Sequence, residues 1–129
     1  MPSPAVISAI ISATGIASST AIGIAGIIQG NSGSTGDRES LVIGLCEQLR
    51  HKLSTAGRSQ YTVVMHKSGL NVEMQYQQGG YIDFVQLGGA GYNIYFVAYG
   101  YIKNNGARGF DNWCVCGNQK QHDNVITFS

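Results

Sequence analysis

Three cysteines, Cys46, Cys114 and Cys116, are the residues of this chain best suited to chemistry, and two of them stand in "CVCGNQKQH" shortly before His122. On a strand, side chains at i and i+2 share a face, so both thiols of the CVC pair can reach one ion. His122 would be a third ligand and Cys46 a fourth. Structural zinc sites usually separate paired ligands by about two to four residues and repeat the pair, and this chain does neither. The alternative is two small, half-buried side chains beside Trp113.

Other sets are weaker. Cys114 or Cys116 with His122 and Asp123 forms a Cys–His–Asp trio on paper, but no nucleophile context surrounds it. "GGAGYN" (88–93) lacks the Lys–Ser/Thr of a phosphate loop and runs into strand-like sequence, so it reads as a hairpin turn. His51 and His66 read as solvated residues near strand ends. The sequence points to no enzyme, no cofactor and no assigned metal ligand. An odd cysteine count excludes a complete disulfide framework. One bridge from Cys46 to the CVC pair and three free thiols both fit it.

The elements that position these residues are marked first by charge. All 8 Lys/Arg and all 7 Asp/Glu lie between Asp37 and Asp123, and the net charge is +1. No basic run exists to displace counterions from a phosphate backbone, so nucleic acid is not an expected partner. The chain divides into a charge-free segment over 1–30, a Gly/Ser hinge over 31–37, and a β domain over 38–129.

Within the first segment, "PAVISAIISATGIASSTAIGIAGIIQG" reads as a helix. Apolar pairs recur at 6–7, 10–11 and 27–28, Ser3 and Pro4 suit its start, and Gly30 and Asn31 suit its end. A secretory leader would need a basic start, which is missing. A helix docked on the β domain is one reading. The favoured one is a membrane-inserting or assembly helix, because residues 5–28 would span about 36 Å against a hydrocarbon core of about 30 Å. Ala5, Ala9, Ala13, Gly15, Ala17, Ala21, Gly23 and Ala25 supply the small residues that let helices approach closely.

Beyond the hinge the texture is β. "ESLVIGLCEQL" (39–49), "QYTVVMHKSG", "LNVEMQY", "GGYIDFVQLGG", "YNIYFVAYGYI" (92–102), "NWCVCG" and "NVITF" read as strands. "QQGG" (77–80) and "NNGARG" (104–109) read as turns between them. Such spacing predicts a mainly β fold, an antiparallel β-sandwich or small barrel with an appended N-terminal apolar α-helix. All 12 aromatics fall between Tyr61 and Phe128. Tyr92, Tyr95, Tyr99, Tyr101, Phe110 and Trp113 form a candidate lipid- or ligand-binding set, since Tyr and Trp join an apolar body to a polar tip. Core pairing across strands is the competing role.

The helix over 4–29, the hinge, and "RESLVIGL" (Arg38–Leu45) opening an aromatic-rich β domain resemble the actinoporin-like pore-forming cytolysins. The stretch 92–101 and "FDNW" (110–113) match that family in character. The resemblance implies an N-terminal helix that detaches from a β-sandwich, inserts and assembles with its neighbours, while aromatics bind lipid headgroups.

The expectation is therefore a membrane-active, self-assembling protein: a small pore-forming toxin or defence effector, secreted and then acting at a target membrane. Its partners would be a lipid membrane and copies of itself, with a carbohydrate headgroup as a further ligand. The alternatives are a secreted β-sandwich binding module for carbohydrate or protein, and a coat or filament protein.

Overall fold

A computed structural model describes residues 18–129, with side chains described from residue 21. The elements run α1 (Ser18–Asn31), α2 (Arg38–Thr55), β1 (Thr62–Lys67), β2 (Val72–Leu87), β3 (Ala90–Asn104), β4 (Trp113–Cys116), β5 (Gln119–His122) and β6 (Val125–Phe128). The fold is mainly β, and among the described residues the strands form one antiparallel sheet curled into a half-barrel beside two helices.

The stretch 39–49, read from sequence as a strand, is helix. Asp37 accepts hydrogen bonds from the Ser40 amide at 3.2 Å and the Ser40 hydroxyl at 2.6 Å, an N-cap that satisfies an otherwise orphaned helix donor. Glu39 in the first turn and Lys52 in the last complement the helix dipole. The buried positions Val42, Leu45, Cys46, Leu49 and Leu53 recur at helical spacing. The short apolar run "LVIGL" hides this stripe, which emerges only when the pattern is followed to Leu53. Ala56 and Gly57 then close the helix, donating to Lys52 O and Ser54 O.

A second correction concerns Gln77–Gly80, which is not a turn. β2 runs unbroken through it and pairs with β3 from Val72↔Asn104 to Leu87↔Ala90. The hairpin instead turns at Gly88–Gly89, both with positive φ (56° and 82°), the geometry of a two-residue β-hairpin turn. Gly79 marks a close crossing: its φ is +92°, and a Cβ there would stand 1.9 Å from the Phe96 carbonyl oxygen. A glycine pair carries either meaning, and only the partner strand decides between them.

β3 organises the sheet. One of its edges pairs with β2 along its length, while the other pairs first with β1 (Tyr92–Val97) and then with β6 (Gly100–Lys103). Tyr99, at φ +59°, sits where the partner changes. That residue shifts the alternation of the strand. Ile94, Phe96 and Ala98 face the helices, whereas Ile102 belongs to the opposite face with Val97. β4 lies outside β1, and β5 lies outside β6.

Two cores result. On one face α2 packs over β1 and β4, and α1 packs over α2 and β2. Ala21, Ile24, Ala25 and Ile28 are buried there with Leu45, Leu49, Met65, Ile94 and Phe96. On the other face, which is helix-free among the described residues, Val64, Val97, Ile102, Trp113, Val115, Ile126 and Phe128 form a smaller cluster. The hinge is tied down as well: Gly33 N donates to Gln86 O at 2.8 Å and Gly88 N to Ser34 O at 2.9 Å. Arg38 clamps Gly88 O from Nε and Nη2 at 3.2 and 3.1 Å.

Candidate functional site

The fold distributes the candidate residues over three places. The first is α1. Of its small residues, Ala5, Ala9, Ala13, Gly15 and Ala17 lie outside the described residues. Ala21 and Ala25 are buried in the main core, and Gly23 is half-buried. The outward side of α1 is formed by Ile22, Gly26, Gln29 and Gly30, with Ile22 at 57% exposure. Among the described residues, no helix is long and apolar enough to cross a membrane.

The second is the helix-free face of the sheet, where aromatic side chains gather. Cross-strand partners share a face, so Tyr81 stands beside Tyr95 and Phe84 beside Asn93. Tyr81 and Tyr95 meet edge to face with centroids 5.3 Å apart, and His66 stacks on Tyr95 at 5.6 Å. Burial pushes the Tyr95 hydroxyl above its ordinary range, with the neighbouring Tyr76 adding to it. Burial does the same to Tyr81, with Asp83 and then Tyr95 adding to it. Both stay neutral hydrogen-bond donors under physiological conditions. Tyr76, Tyr81 and Phe84 remain exposed on β2.

These β2 aromatics were not singled out from sequence. The bulge between Tyr81 and Asp83 turns residues 81 and 84 to the same face, which strict alternation puts on opposite faces. His66, expected to be solvated, is only 8% exposed. His51 lies within α2, not at a strand end, and is exposed.

The six aromatics named from sequence are scattered. Tyr92 is buried on the helix side, where its hydroxyl donates to Asp111 O at 2.5 Å. Tyr95 and Tyr101 are half-buried, and Tyr99 is exposed at the kink. Phe110 and Trp113 both line one groove, of about 320 Å³, with Arg108, Gln119, Gln121 and Ile126.

The third place is the thiol cluster. β4 turns Cys114 and Cys116 to the helix side, and α2 presents Cys46 from above. The three sulfurs lie within 4.8 Å of one another. All three cysteines are free. Cys46 Sγ donates to Val63 O at 3.8 Å and Cys114 O at 3.7 Å. Desolvation first, then the two neighbouring sulfurs, holds the Cys46 thiol protonated. The neighbouring Cys114 and then Cys46 thiols pull the Cys116 thiol below its ordinary range, against the effect of burial, with Arg50 adding positive charge. Its neighbour Cys114, as the donor to Cys116, is pushed up to about 12.

His122 is exposed on β5 and is not in this group, and Asp123 is engaged by Arg108 at 2.9 Å. The Cys–His–Asp trio is therefore not brought together. The chain matches no protein-family model, no curated protein and no solved structure.

Proposed function

We propose that this protein is a small membrane-active, self-assembling protein, a pore-forming toxin or defence effector, with α1 docked in a resting form. The observation that carries this reading is the character of α1. A helix in a water-soluble fold ordinarily turns a charged face outward. This one carries no charge on any side and leaves Ile22 in solvent. Such a helix gains by moving its outward side into lipid or against a second copy, at the cost of uncovering the core beneath it.

Two further features support the reading. The exposed aromatics Tyr76, Tyr81 and Phe84 suit the headgroup level of a bilayer. Among the described residues, the outer edge of β2 is paired only at its end, by the Ser34↔Leu87 bridge, and unpaired edges template pairing between chains. The curled sheet is read here as an opened small barrel rather than a sandwich. The likeness to actinoporin-like cytolysins now rests on the helix and the aromatics, because Arg38–Leu45 is helical. Secretion followed by action at a target membrane belongs to the same proposal.

Vesicles loaded with a self-quenching dye test it. Release on adding the full-length chain, with cross-linked oligomers recovered from the bilayer, is the expected result. Vesicles that keep their dye argue against it.

A second reading is favoured by one specific observation, the stacked set Tyr81–Tyr95–His66 beside the exposed Phe84. Aromatic faces of this kind take sugar rings, so the helix-free face would bind a carbohydrate or a lipid-borne sugar headgroup. Binding to immobilised glycans without dye release would favour this role alone.

A further inference from the structure

We propose that Cys46, Cys114 and Cys116 form a binding site for one thiophilic d10 metal ion, and that monovalent copper is the preferred occupant. Every cysteine of the chain is in this cluster, although they come from two elements 68 positions apart in sequence. A buried cysteine can serve as a small apolar side chain, but three sulfurs meeting at one point do more than fill space. Convergence of all three thiols between α2 and β4 is instead what a soft-metal site requires.

The geometry is close to that of a loaded site. Metal–thiolate bonds are about 2.3 Å, so three sulfurs around one ion in a plane stand about 4 Å apart. The three sulfurs lie within 4.8 Å of one another, near that spacing. No disulfide ties up any of the sulfurs. The hydrogen bonds that Cys46 makes, at 3.7 and 3.8 Å, are long thiol contacts and are given up at little cost.

Access also fits. Cys46 and Cys114 are buried, whereas Cys116 is half-exposed on the outer strand β4, so an ion enters from that side. Binding releases thiol protons to solvent as the three metal–sulfur bonds form.

The donor set selects the ion. Among the described residues, no His, Asp or Glu joins the three sulfurs. Structural zinc takes four ligands, whereas soft thiolates on their own suit monovalent copper.

The test uses the reduced, metal-free, full-length protein, titrated without oxygen with Cu(I) against a chromogenic copper chelator, and in parallel with Zn(II). One Cu(I) per chain, thiolate charge-transfer absorption in the near ultraviolet, and a raised thermal midpoint are expected. Cys116→Ser, at a half-exposed position the fold tolerates, should weaken binding at least about tenfold without changing the circular dichroism spectrum. His122→Ala should bind as the wild type does. Failure of the folded wild type to hold copper, with three reduced thiols counted by thiol titration, would overturn the site. Wild-type affinity in Cys116→Ser would overturn it equally. One-to-one zinc binding without copper binding would overturn the choice of ion.

Discussion

Gly23 in α1 and Lys52 in α2 mark one point where the two helices approach: a Cβ added at Gly23 would stand 3.2 Å from Lys52 Cε. The contact is between a small residue and the stem of a long flexible one. Charge therefore reaches α1 only from its neighbour. The apolar helix is held by the packing of Ala21, Ile24, Ala25 and Ile28.

That packing sets the first prediction. Ile24→Ala should destabilise the fold by about 2–5 kcal/mol, because it removes buried volume from the seam under α1. Ile22→Ala, on the opposite, solvent-facing side of the helix, should stay within about 0.5 kcal/mol of the wild type. Chemical denaturation of both variants measures the contrast. Equal losses would mean that α1 does not dock on the face described.

Gly79 offers a sharper stability test. With φ at +92° and the Phe96 carbonyl oxygen 1.9 Å from the position of a Cβ, Gly79→Ala should cost upward of about 3 kcal/mol or prevent folding. Gly69→Ala is the control: φ is +85°, no atom lies within 4 Å of the added Cβ, and only the left-handed backbone cost of about 1–2 kcal/mol applies. Thermal melts of the two variants compare them directly.

His66 makes stability depend on pH. Burial is the main effect on its imidazole and lowers its pKa below the ordinary 6.5, partly offset by the Lys67 carbonyl. A lowered pKa means that the unfolded chain takes up the proton first as the pH falls. The contribution of His66 is thus intact above about pH 6.5 and is lost progressively below it, down to the folded-state pKa. Urea midpoints at about pH 8 and about pH 5 should differ more for the wild type than for His66→Gln. The same drop in both would exclude His66 as the cause.

On the aromatic face, Tyr81→Ala and Phe84→Ala should each weaken vesicle binding by about tenfold, since each removes an exposed aromatic side chain. Tyr92→Phe should behave oppositely. It deletes the hydrogen bond to Asp111 O, costs about 1 kcal/mol of stability, and leaves binding unchanged. Flotation of protein with vesicles, alongside denaturation, separates the two effects.

Several of these features were legible in the residues. Alternation in "LNVEMQY" and "YNIYFVAYGYI" marks two strands, the glycines of "GGAGYN" mark the hairpin turn, and the absence of charge before Asp37 marks α1. What was not legible has physical causes. In "DRESLVIGL" the cap and the helical stripe are masked by a short continuous apolar run, which fits a buried strand equally well. At Gln77–Gly80 a glycine pair serves a backbone crossing instead of a turn. Convergence of Cys46 on the CVC pair depends on α2 lying across β4, a tertiary placement that spacing along the chain does not encode. The facing of Tyr81 and Phe84 depends on one bulged residue, Ile82.

The most direct measurement of the membrane-active reading is dye release by Ile22→Glu beside the wild type. Residue 22 is exposed in the docked form, so the carboxylate is solvated there and the fold and its thermal midpoint should be unchanged. In lipid, an acidic residue within a helix costs about 2.5–3.5 kcal/mol. The account predicts that the wild type empties the vesicles while the folded Ile22→Glu protein releases dye at least about tenfold more slowly. Equal release by the two proteins, or no release by the wild type, would contradict it.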